Sequence, residues 1–389
     1  MDISREEFCA RLRRILAEQF PDEQFPDEQF PDEVVESLTI ASDLEHSLSG
    51  IYARGIQKNG SSLRAILAVP SGASSAPVEN SLTFGLLWLD HAKETVRRGC
   101  IAHHARGLHP QLNLEIYEFD PRQETFSRID PGSGGNLDSW LAPRRETQAL
   151  LDQAKASIDP IVALFPQAIT VHPVVRSGEV FLRFRGLAFA CWDDGRIFFG
   201  VVDPRRKLTS ASESALQQLL HDLESHRHPE ATDTRHSLYR QQSERWLESI
   251  VRSDVTRVDA ALDSRFAYAQ VFANTFSERG IRDLLTVTRG GRLAILELKA
   301  TEHIHLPLQA ANYWLRIHRH LQQGDFSRYR YFTGIELQSA APIVYLVAPS
   351  LRFHSTTDAL LRHLSPEMEV ARVGLAESWR RDLRVVMRQ

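Results

Sequence analysis

Residues 280–313 read GIRDLLTVTRGGRLAILELKATEHIHLPLQAANY, and this stretch decides the expected fold of the C-terminal half of the chain. Two runs rich in β-forming residues, 283–288 and 292–298, flank the tripeptide Arg-Gly-Gly. Apolar strands separated by a short glycine-containing loop predict a tight β-hairpin. Two acidic residues and a lysine lie near the ends of these strands, and the spacing Gln309-x-x-x-Tyr313 follows on a predicted helix.

The length of the hairpin loop determines which side chains share a face of the predicted sheet. Side chains alternate along a strand, so Glu297 and Lys299 lie on one face, and directly opposed residues of neighbouring strands also share a face. A three-residue loop pairs Thr288 with Arg292 and thereby places Asp283 opposite Glu297. A two-residue Gly-Gly turn would place that aspartate opposite a leucine, on the other face. We therefore predict the three-residue loop, with a glycine in the left-handed region and a bulge; otherwise a bulge elsewhere must restore the register.

Carboxylates on one face of such a hairpin predict a site for a hard divalent cation. Mg²⁺ takes oxygen ligands, usually one or two carboxylates together with water and substrate phosphate. Asp283 and Glu297 supply the carboxylates, and the carbonyl oxygen of Leu298 is a further candidate ligand. The compact charge of Lys299 can orient a water molecule and stabilise charge that develops on a phosphate. The pattern therefore indicates Mg²⁺- or Mn²⁺-dependent hydrolysis of phosphodiester bonds.

The order Gly-x-x-Asp, Glu-x-Lys and Gln-x-x-x-Tyr resembles the PD-(D/E)XK nuclease superfamily, and in particular its RecB-like branch. The resemblance implies that Asp283 and Glu297 bind metal and that Lys299 is catalytic. It also implies that Gln309 and Tyr313 hold the metal ligands or the nucleic-acid backbone in place. The fold that it implies is a restriction-endonuclease-like mixed β-sheet flanked by helices.

The resemblance covers residues 239–347 and departs from the family pattern at Arg282, which stands where the name-giving proline would be. Family members also carry a glutamate on a helix before the first core strand. Here the segment 243–252 (SERWLESIVR) has the spacing of an amphipathic helix, and its leading serine is a candidate cap. Glu244 and Glu248 both flank the apolar stripe of this helix. Either can reach the metal directly or through water, and the choice stays open with a slight preference for Glu244.

The composition of the 389-residue chain is that of a soluble globular protein, with 42% apolar and 25% charged residues. The sequence contains no apolar run of the roughly 18 residues that a membrane helix requires. Cys9, Cys100 and Cys191 are far apart and form no Cys-x-x-Cys motif, which indicates a reducing compartment. We therefore expect a cytoplasmic protein that has no membrane partner, and the sequence leaves open whether it forms a homodimer.

The charge of the chain is divided unevenly between its two halves. Residues 235–389 contain 22 Lys and Arg against 16 Asp and Glu, whereas the rest of the chain contains 24 against 34. Nearly all of the basic residues in the C-terminal half are arginine, which suits bidentate contacts with phosphate. This excess favours nucleic acid as the partner of the predicted site. The expectation of DNA follows from the family resemblance, and the sequence leaves the choice between DNA and RNA open.

The predicted fold class is α/β (α+β), with a separate N-terminal α/β or α+β domain before the nuclease-like domain. The segment 20–33 repeats FPDEQ almost three times, and proline at every fifth residue excludes a regular helix there. The predicted organisation has four parts: an N-terminal helix and spacer at 1–49, an α/β domain of unknown role at 50–205, a helix and linker at 206–234, and the nuclease-like domain at 235–389.

Alternating patterns predict most elements of the N-terminal domain. The predicted strands are 63–69, 83–90, 112–119 and 126–129, followed by a helix at 145–164 and a β-meander made of 179–185, 187–192 and 196–201.

The function expected from these features is a metal-dependent nuclease, most simply a deoxyribonuclease that acts in repair or defence. The alternative is a non-catalytic nucleic-acid-binding or scaffolding subunit on a nuclease fold. A third hypothesis is that the N-terminal domain senses a small ligand and gates the nuclease. Decayed family members usually lose an acid or the lysine, and none is lost in this sequence, which favours the enzyme.

Overall fold

The computed structural model describes a mixed α/β protein with several sheets. The described residues are 4–19, 38–42, 51–59, 62–69, 81–87, 96–98, 113–120, 123, 125–129, 139–269, 271–272 and 284–389. The repeat at 20–33 therefore lies outside the described residues.

The chain forms two compact units that each draw on several segments. The first unit comprises Met1–Asp138, Ile304–Leu315 and His354–Met368, and the second comprises Ser139–His303, Arg316–Phe353 and Glu369–Gln389. The linker predicted at 206–234 falls inside the second unit. The division into domains 50–205 and 235–389 stays a prediction.

The first unit contains a five-stranded sheet and an amphipathic helix. Helix α1 is Arg5–Gln19, as the sequence predicted, and the strands are β1 (Ala53–Asn59), β2 (Ser62–Ala68), β3 (Val96–Arg98), β4 (Asn113–Asp120) and β5 (Thr125–Ile129), in that spatial order. Phe8, Leu12 and Leu16 form the apolar side of α1 and pack on Ala53 and Ile66 of the sheet. Helical spacing of the apolar residues thus accounts for this contact.

The strand predicted at 83–90 is wrong, because residues 81–87 are helical. Leu82 and Leu86 are four residues apart, and both are buried, as expected for one side of a helix. A strand would place this pair on one face together with Phe84, but the segment SLTFGLL lacks the polar alternation of a half-buried strand.

The second unit begins with an antiparallel meander that the sequence predicted. Its strands are β6 (Ile169–Val174), β7 (Glu179–Phe184), β8 (Leu187–Asp193), β9 (Arg196–Phe199) and β10 (Arg206–Lys207), in the spatial order β10-β9-β8-β7-β6. Asp194 and Gly195 have φ values of +43° and +78° and form the two-residue turn between β8 and β9. Helices α2 (Arg144–Val162) and α3 (Glu213–His226) pack on one face of this meander.

A six-stranded mixed sheet forms the rest of the second unit. Its strands are β11 (Tyr268–Ala269), β12 (Leu284–Val287), β13 (Leu293–Leu298), β14 (Ile343–Pro349), β15 (Val370–Leu375) and β16 (Val385–Arg388), in that spatial order. Strands β13, β14 and β15 are parallel, whereas the remaining neighbours pair antiparallel. The helices α4 (Ser237–Arg240) and α5 (Ser243–Ser253) precede β11, and α6 (Leu306–Gln322) and α7 (Asp325–Arg328) come between β13 and β14. Helix α8 (Thr357–Leu361) lies between β14 and β15 in the chain.

Two separate hydrophobic cores meet near residue 238. The core of the meander ends in sequence at Leu238, and the core of the mixed sheet includes Tyr239 and Trp246. The fully buried Arg227 joins them, because its guanidinium donates to the carbonyl oxygens of Phe184 at 3.1 Å and Leu238 at 2.6 Å in the meander core and lies over the ring of Trp246, 4.7 Å from its centroid, in the other core. Burial, assisted by the nearby Arg380 and Arg185, lowers the pKa of Arg227 to about 9.

The expected capping of helix α5 by Ser243 is wrong. The cap position is Gln242, whose backbone is left-handed with φ of +48° and whose side chain makes no capping hydrogen bond. Arg227 donates to the carbonyl oxygens of Gln241 and Gln242 and so shapes the entry to the helix from outside the local sequence. Across the described part of the chain, no helix is long and apolar enough to cross a membrane.

Candidate active site

The hairpin of β12 and β13 has the register that the three-residue loop predicts. Leu284 pairs with Leu296 and Val287 with Leu293, and the Thr288 amide donates to the carbonyl oxygen of Arg292 at 2.8 Å. The register prediction is confirmed for these residues. Asp283 itself, like the rest of the segment 273–283, lies outside the described residues.

The tip of the hairpin is held by close backbone contacts. Gly291 has φ of +90°, so the predicted left-handed glycine is confirmed. A Cβ atom at Gly291 would collide with the carbonyl oxygen of Glu336. Gln338 contacts the same tip, because its amide donates to Gly291 O at 2.9 Å and its side chain donates to Gly290 O at 2.7 Å. These contacts oppose a one-residue slip, which would move every side chain of β13 to the other face.

The alternation of side chains along β13 separates its leucines from the predicted active-site residues. Leu296 and Leu298 belong to the hydrophobic core that includes Trp246 of helix α5. Glu297 and Lys299 occupy the alternate positions and therefore project from the opposite face. The strand thus presents an apolar face to α5 and a charged pair on its other side.

Glu297 and Lys299 form a buried ion pair at the end of β13. Lys299 Nζ lies 2.9 Å from Glu297 Oε1, and the two side chains are only 5% and 2% exposed. The contact lacks hydrogen-bond alignment, and Glu297 Oε1 accepts no aligned hydrogen bond from the described residues. The Lys299 amide donates to Val347 O at 3.0 Å, which fixes the end of the strand against β14. A buried carboxylate oxygen without a directed donor can coordinate a cation or a water molecule.

The two candidate glutamates of helix α5 have different neighbours. Glu244 Oε1 accepts a hydrogen bond of 3.1 Å from the hydroxyl of Thr301, which follows Lys299 by two residues. Glu244 also lies near Arg380, whose pKa is lowered by burial although Tyr239 and Glu244 oppose that shift. These contacts place Glu244 near the end of β13.

Glu248 is directed toward arginine side chains rather than toward Thr301. Its Oε2 accepts a hydrogen bond of 2.6 Å from Arg245, and its side chain is 2% exposed. The contacts therefore favour Glu244 as the metal-binding glutamate, in line with the preference from sequence, and the choice between the two stays a prediction.

Gln309 and Tyr313 lie one turn apart on helix α6. Tyr313 is buried, and Gln309 is half-buried with an Oε1 that accepts no hydrogen bond from the described residues. Both residues fall within the first compact unit, whereas Glu297 and Lys299 belong to the second. Their convergence with the ion pair therefore stays a prediction.

The chemistry of the described donors suits Mg²⁺ or Mn²⁺, because Glu297 and Glu244 offer carboxylate oxygens. A buried carboxylate that lacks a full set of hydrogen bonds is consistent with such an ion. The described residues contain no group of three or more His, Cys, Asp and Glu side chains that could hold a metal. The predicted contributions of Asp283 and of the Leu298 carbonyl oxygen are not tested by the described contacts.

Sequence reasoning missed a group of buried arginines around Glu248. Arg245 and Arg252 flank Glu248 on α5 with spacings of three and four residues, and Arg183 and His172 come from the meander. The helical spacing of Arg245, Glu248 and Arg252 is a signal that could have been read from the sequence. The contribution of Arg183 and His172 from the meander could not be read from the sequence, because it depends on tertiary packing.

No protein-family model, no curated protein and no solved structure matches this chain.

Proposed function

We propose that this protein is a metal-dependent nuclease that hydrolyses phosphodiester bonds in DNA. The observation that carries the proposal is the buried Glu297–Lys299 pair at the end of β13, on a hairpin that has the register needed to bring position 283 opposite Glu297. A lysine and a glutamate are rarely buried together without a functional or structural reason, because removing both charges from water is unfavourable.

The order of elements supports a restriction-endonuclease-like core. Helix α5 is followed by β11, β12 and β13 as an antiparallel series, and α6 then leads to β14, which pairs parallel to β13. This α-β-β-β-α-β order with a mixed sheet is the arrangement that the resemblance to the PD-(D/E)XK superfamily implies. The fold assignment is part of the proposal.

In the proposed mechanism, the buried environment holds Lys299 beside the carboxylate of Glu297. The ammonium group can orient the attacking water and stabilise the negative charge that grows on the phosphate oxygens. Glu297, Glu244 and Asp283 would hold Mg²⁺ or Mn²⁺, which polarises the phosphate and lowers the pKa of a bound water. Gln309 and Tyr313 would position the metal ligands or the DNA backbone.

The choice of DNA as substrate rests on the resemblance and on charge. The excess of arginine in residues 235–389 suits contacts with backbone phosphates. On the ground of the same resemblance, we propose a role in repair or in defence against foreign DNA.

The direct test is an assay of the purified full-length protein on labelled single-stranded, double-stranded and end-blocked DNA with Mg²⁺ or Mn²⁺. Lys299→Ala and Glu297→Gln should each reduce the cleavage rate by about 10²–10³-fold. Lys207→Ala, which removes an exposed lysine of β10, is the matched control and should cleave like the wild type.

Folding of each variant is checked by near-UV circular dichroism, because half of a buried pair has been removed. Lys299→Arg preserves the charge of the pair but not the geometry of an ammonium group, so it should fold and still cleave poorly. Cleavage that persists in a folded Lys299→Ala protein would overturn the mechanism. DNA binding without cleavage under both metals would favour the non-catalytic alternative.

A further inference from the structure

The second compact unit contains a cluster of buried and half-buried arginines that outnumber the acidic residues beside them in the described part of the chain. The arginine cluster comprises Arg183 of β7, Arg245 and Arg252 of α5, Glu248 of α5 and His172 of β6. Three guanidinium groups thus face a single carboxylate. Buried charges normally occur in balanced pairs, since an unpaired ion loses its hydration without compensation.

The fold brings these side chains together by strand pairing and helical spacing. Val180, Leu182 and Phe184 of β7 face the core of the meander, so Arg183 projects from the opposite face. His172 lies on the same face as Arg183, because Thr170, two residues before it, pairs directly with Arg183.

Helix α5 presents its charged residues to that face of the meander. Arg245, Glu248 and Arg252 occupy one side of the helix at spacings of three and four residues. Gly186, in the turn after β7, permits the close approach, because a Cβ atom there would collide with the backbone of Arg245. The cluster is therefore built into the contact between helix and sheet.

The contacts among the described residues of the cluster leave some arginine hydrogen-bond donors without an acceptor. Arg183 Nη1 and Arg252 Nη1 each lie 3.3 Å from the same atom, Nδ1 of His172. Arg183 is 8% exposed, and its Nε has no hydrogen-bond partner among the described residues. Glu248 pairs through Oε2 with Arg245, and its buried Oε1 likewise accepts no hydrogen bond from any described group.

The protonation states leave the positive charge in place. Burial, followed by the fields of Arg183, Arg252 and Arg245, lowers the pKa of His172 well below 6.5, so this imidazole is neutral at pH 7. Burial and the neighbouring Arg245 lower the pKa of Arg183 to about 10, which still leaves it charged. Among the described residues, the cluster as defined therefore carries two more positive than negative charges, and Arg144 adds a further positive charge near Arg252.

We propose that the arginine cluster binds a hydrogen-phosphate anion. A doubly charged phosphate would balance the excess charge, and its oxygens would accept hydrogen bonds from the guanidinium groups of Arg183 and Arg252. Its P–OH group would donate to the free Oε1 of Glu248. Arg252 is half-buried, so the cluster reaches the surface there.

The hydroxyl group distinguishes the ligand from similar anions. Sulfate is also doubly charged but has no proton to donate to Glu248 at neutral pH, and an internal phosphodiester of DNA lacks the second charge as well as the proton. Inorganic phosphate retains both the P–OH and the second charge near neutral pH. The terminal phosphate of a nucleotide or of a DNA end has either the P–OH with one charge or two charges without the proton.

Thermal unfolding and isothermal titration calorimetry of the full-length protein in EDTA test the proposal without any measurement of cleavage. Inorganic phosphate at about ten times its Kd should raise Tm by roughly 2–4 °C relative to sodium chloride of equal ionic strength. Sulfate should bind at least about tenfold more weakly, because a carboxylate oxygen would face an acceptor.

Single substitutions identify the side chains that bind phosphate. Arg183→Gln and Arg252→Gln should each weaken phosphate binding by about tenfold or more, and Glu248→Gln should narrow or reverse the preference for phosphate over sulfate. Arg196→Gln removes an exposed arginine of β9 and is the matched control that should bind like the wild type. Arg252→Gln lies at the rim of the cluster, so it keeps the test valid if Arg183→Gln fails to fold.

Adenosine monophosphate and oligonucleotides with or without a 5′-phosphate identify the source of the phosphate group. Tighter binding of the 5′-phosphorylated oligonucleotide, lost in Arg252→Gln, assigns the cluster to DNA ends. Preferential binding of inorganic phosphate or of the nucleotide assigns it to a free ligand. The proposal is overturned if phosphate stabilises the wild type no more than chloride does, or if it stabilises Arg183→Gln and Arg252→Gln as much as Arg196→Gln.

Discussion

The second compact unit buries charge in two different ways. At the end of β13, one carboxylate and one ammonium group lie 2.9 Å apart and balance each other. In the arginine cluster, the described residues place three guanidinium groups around the carboxylate of Glu248. Among the described residues, the first arrangement pairs one charge of each sign, whereas the second leaves an excess of positive charge that an added anion would balance. Removing a member of each should therefore change the free energy of unfolding by very different amounts.

The largest effect is expected when the balanced pair is broken. Lys299→Met leaves the buried Glu297 carboxylate without compensation and should lower the free energy of unfolding by about 3–5 kcal/mol. The double variant Glu297→Gln/Lys299→Met has no buried charge at either position and should lie within about 1–2 kcal/mol of the wild type. Urea denaturation of the wild type, Glu297→Gln, Lys299→Met and the double variant gives the coupling energy. Additive losses in the double variant would contradict the balanced-pair description.

The next effect concerns the hairpin that holds this pair. Gly291→Ala should lower the free energy of unfolding by roughly 1–3 kcal/mol from the left-handed backbone alone, and the collision with Glu336 O adds to that loss. Gly290→Ala, one residue earlier, is the matched control, since its Cβ would lie 3.6 Å from the nearest side-chain atom. Equal unfolding midpoints for the two alanine variants would show that the hairpin tip does not set the register.

A smaller effect is expected in the arginine cluster, where the free energy of unfolding should depend on pH through His172. His172 lies beside Arg183, Arg245, Arg252 and Thr170, and its pKa is lowered well below 6.5, first by burial and then by the arginines. Below pH 6.5 the unfolded chain binds a proton at this histidine that the folded chain does not bind, so stability falls as the pH is lowered.

The contribution of His172 should reach about 1–2 kcal/mol between pH 6.5 and pH 5, because the slope is at most about 1.4 kcal/mol per pH unit. His172→Gln should lose correspondingly less stability over this range in denaturation experiments without phosphate. His221→Gln, at an exposed position of α3, is the control, and its free energy of unfolding should change with pH as that of the wild type does. A His172→Gln slope equal to that of the wild type would mean that the folded protein accepts the proton after all.

The smallest effect is expected when the unbalanced cluster loses one charge. Arg183→Met in phosphate-free buffer should change the free energy of unfolding by less than about 1 kcal/mol, because Glu248 keeps Arg245 as its partner and a desolvated cation is removed. Chemical denaturation against the wild type measures this difference. A loss as large as that of Lys299→Met would show that Arg183 is already balanced within the folded chain.

The difference between the two regions also explains how much could be predicted from the sequence. The hairpin signals are local: two apolar runs, a tripeptide loop and an alternation that puts Glu297 and Lys299 on one face. The register and the left-handed Gly291 were therefore predictable, and the meander of β7 to β9 was predictable for the same reason. The placement of Asp283 is a local prediction as well, but it lies outside the described residues.

Features that depend on distant segments were not accessible in this way. His172 and Arg252 are 80 residues apart, and their contact requires the meander to pack against α5. The cap of α5 could not be predicted because Arg227, rather than Ser243, shapes the start of the helix. The choice between Glu244 and Glu248 was open for the same reason, since both flank one apolar stripe and only their neighbours differ.

Helix α5 serves both regions at the same time. Glu244 and Arg245 are consecutive residues, yet the first contacts Thr301 beyond β13 and the second contacts Glu248 within the arginine cluster. An 11-residue helix is a stiff rod of about 16 Å, so a displacement at one neighbour is transmitted to the other. Its apolar stripe must suit the core of the mixed sheet while its charged side must suit the meander, which leaves α5 less room for sequence drift than α2, whose apolar side packs on the meander core.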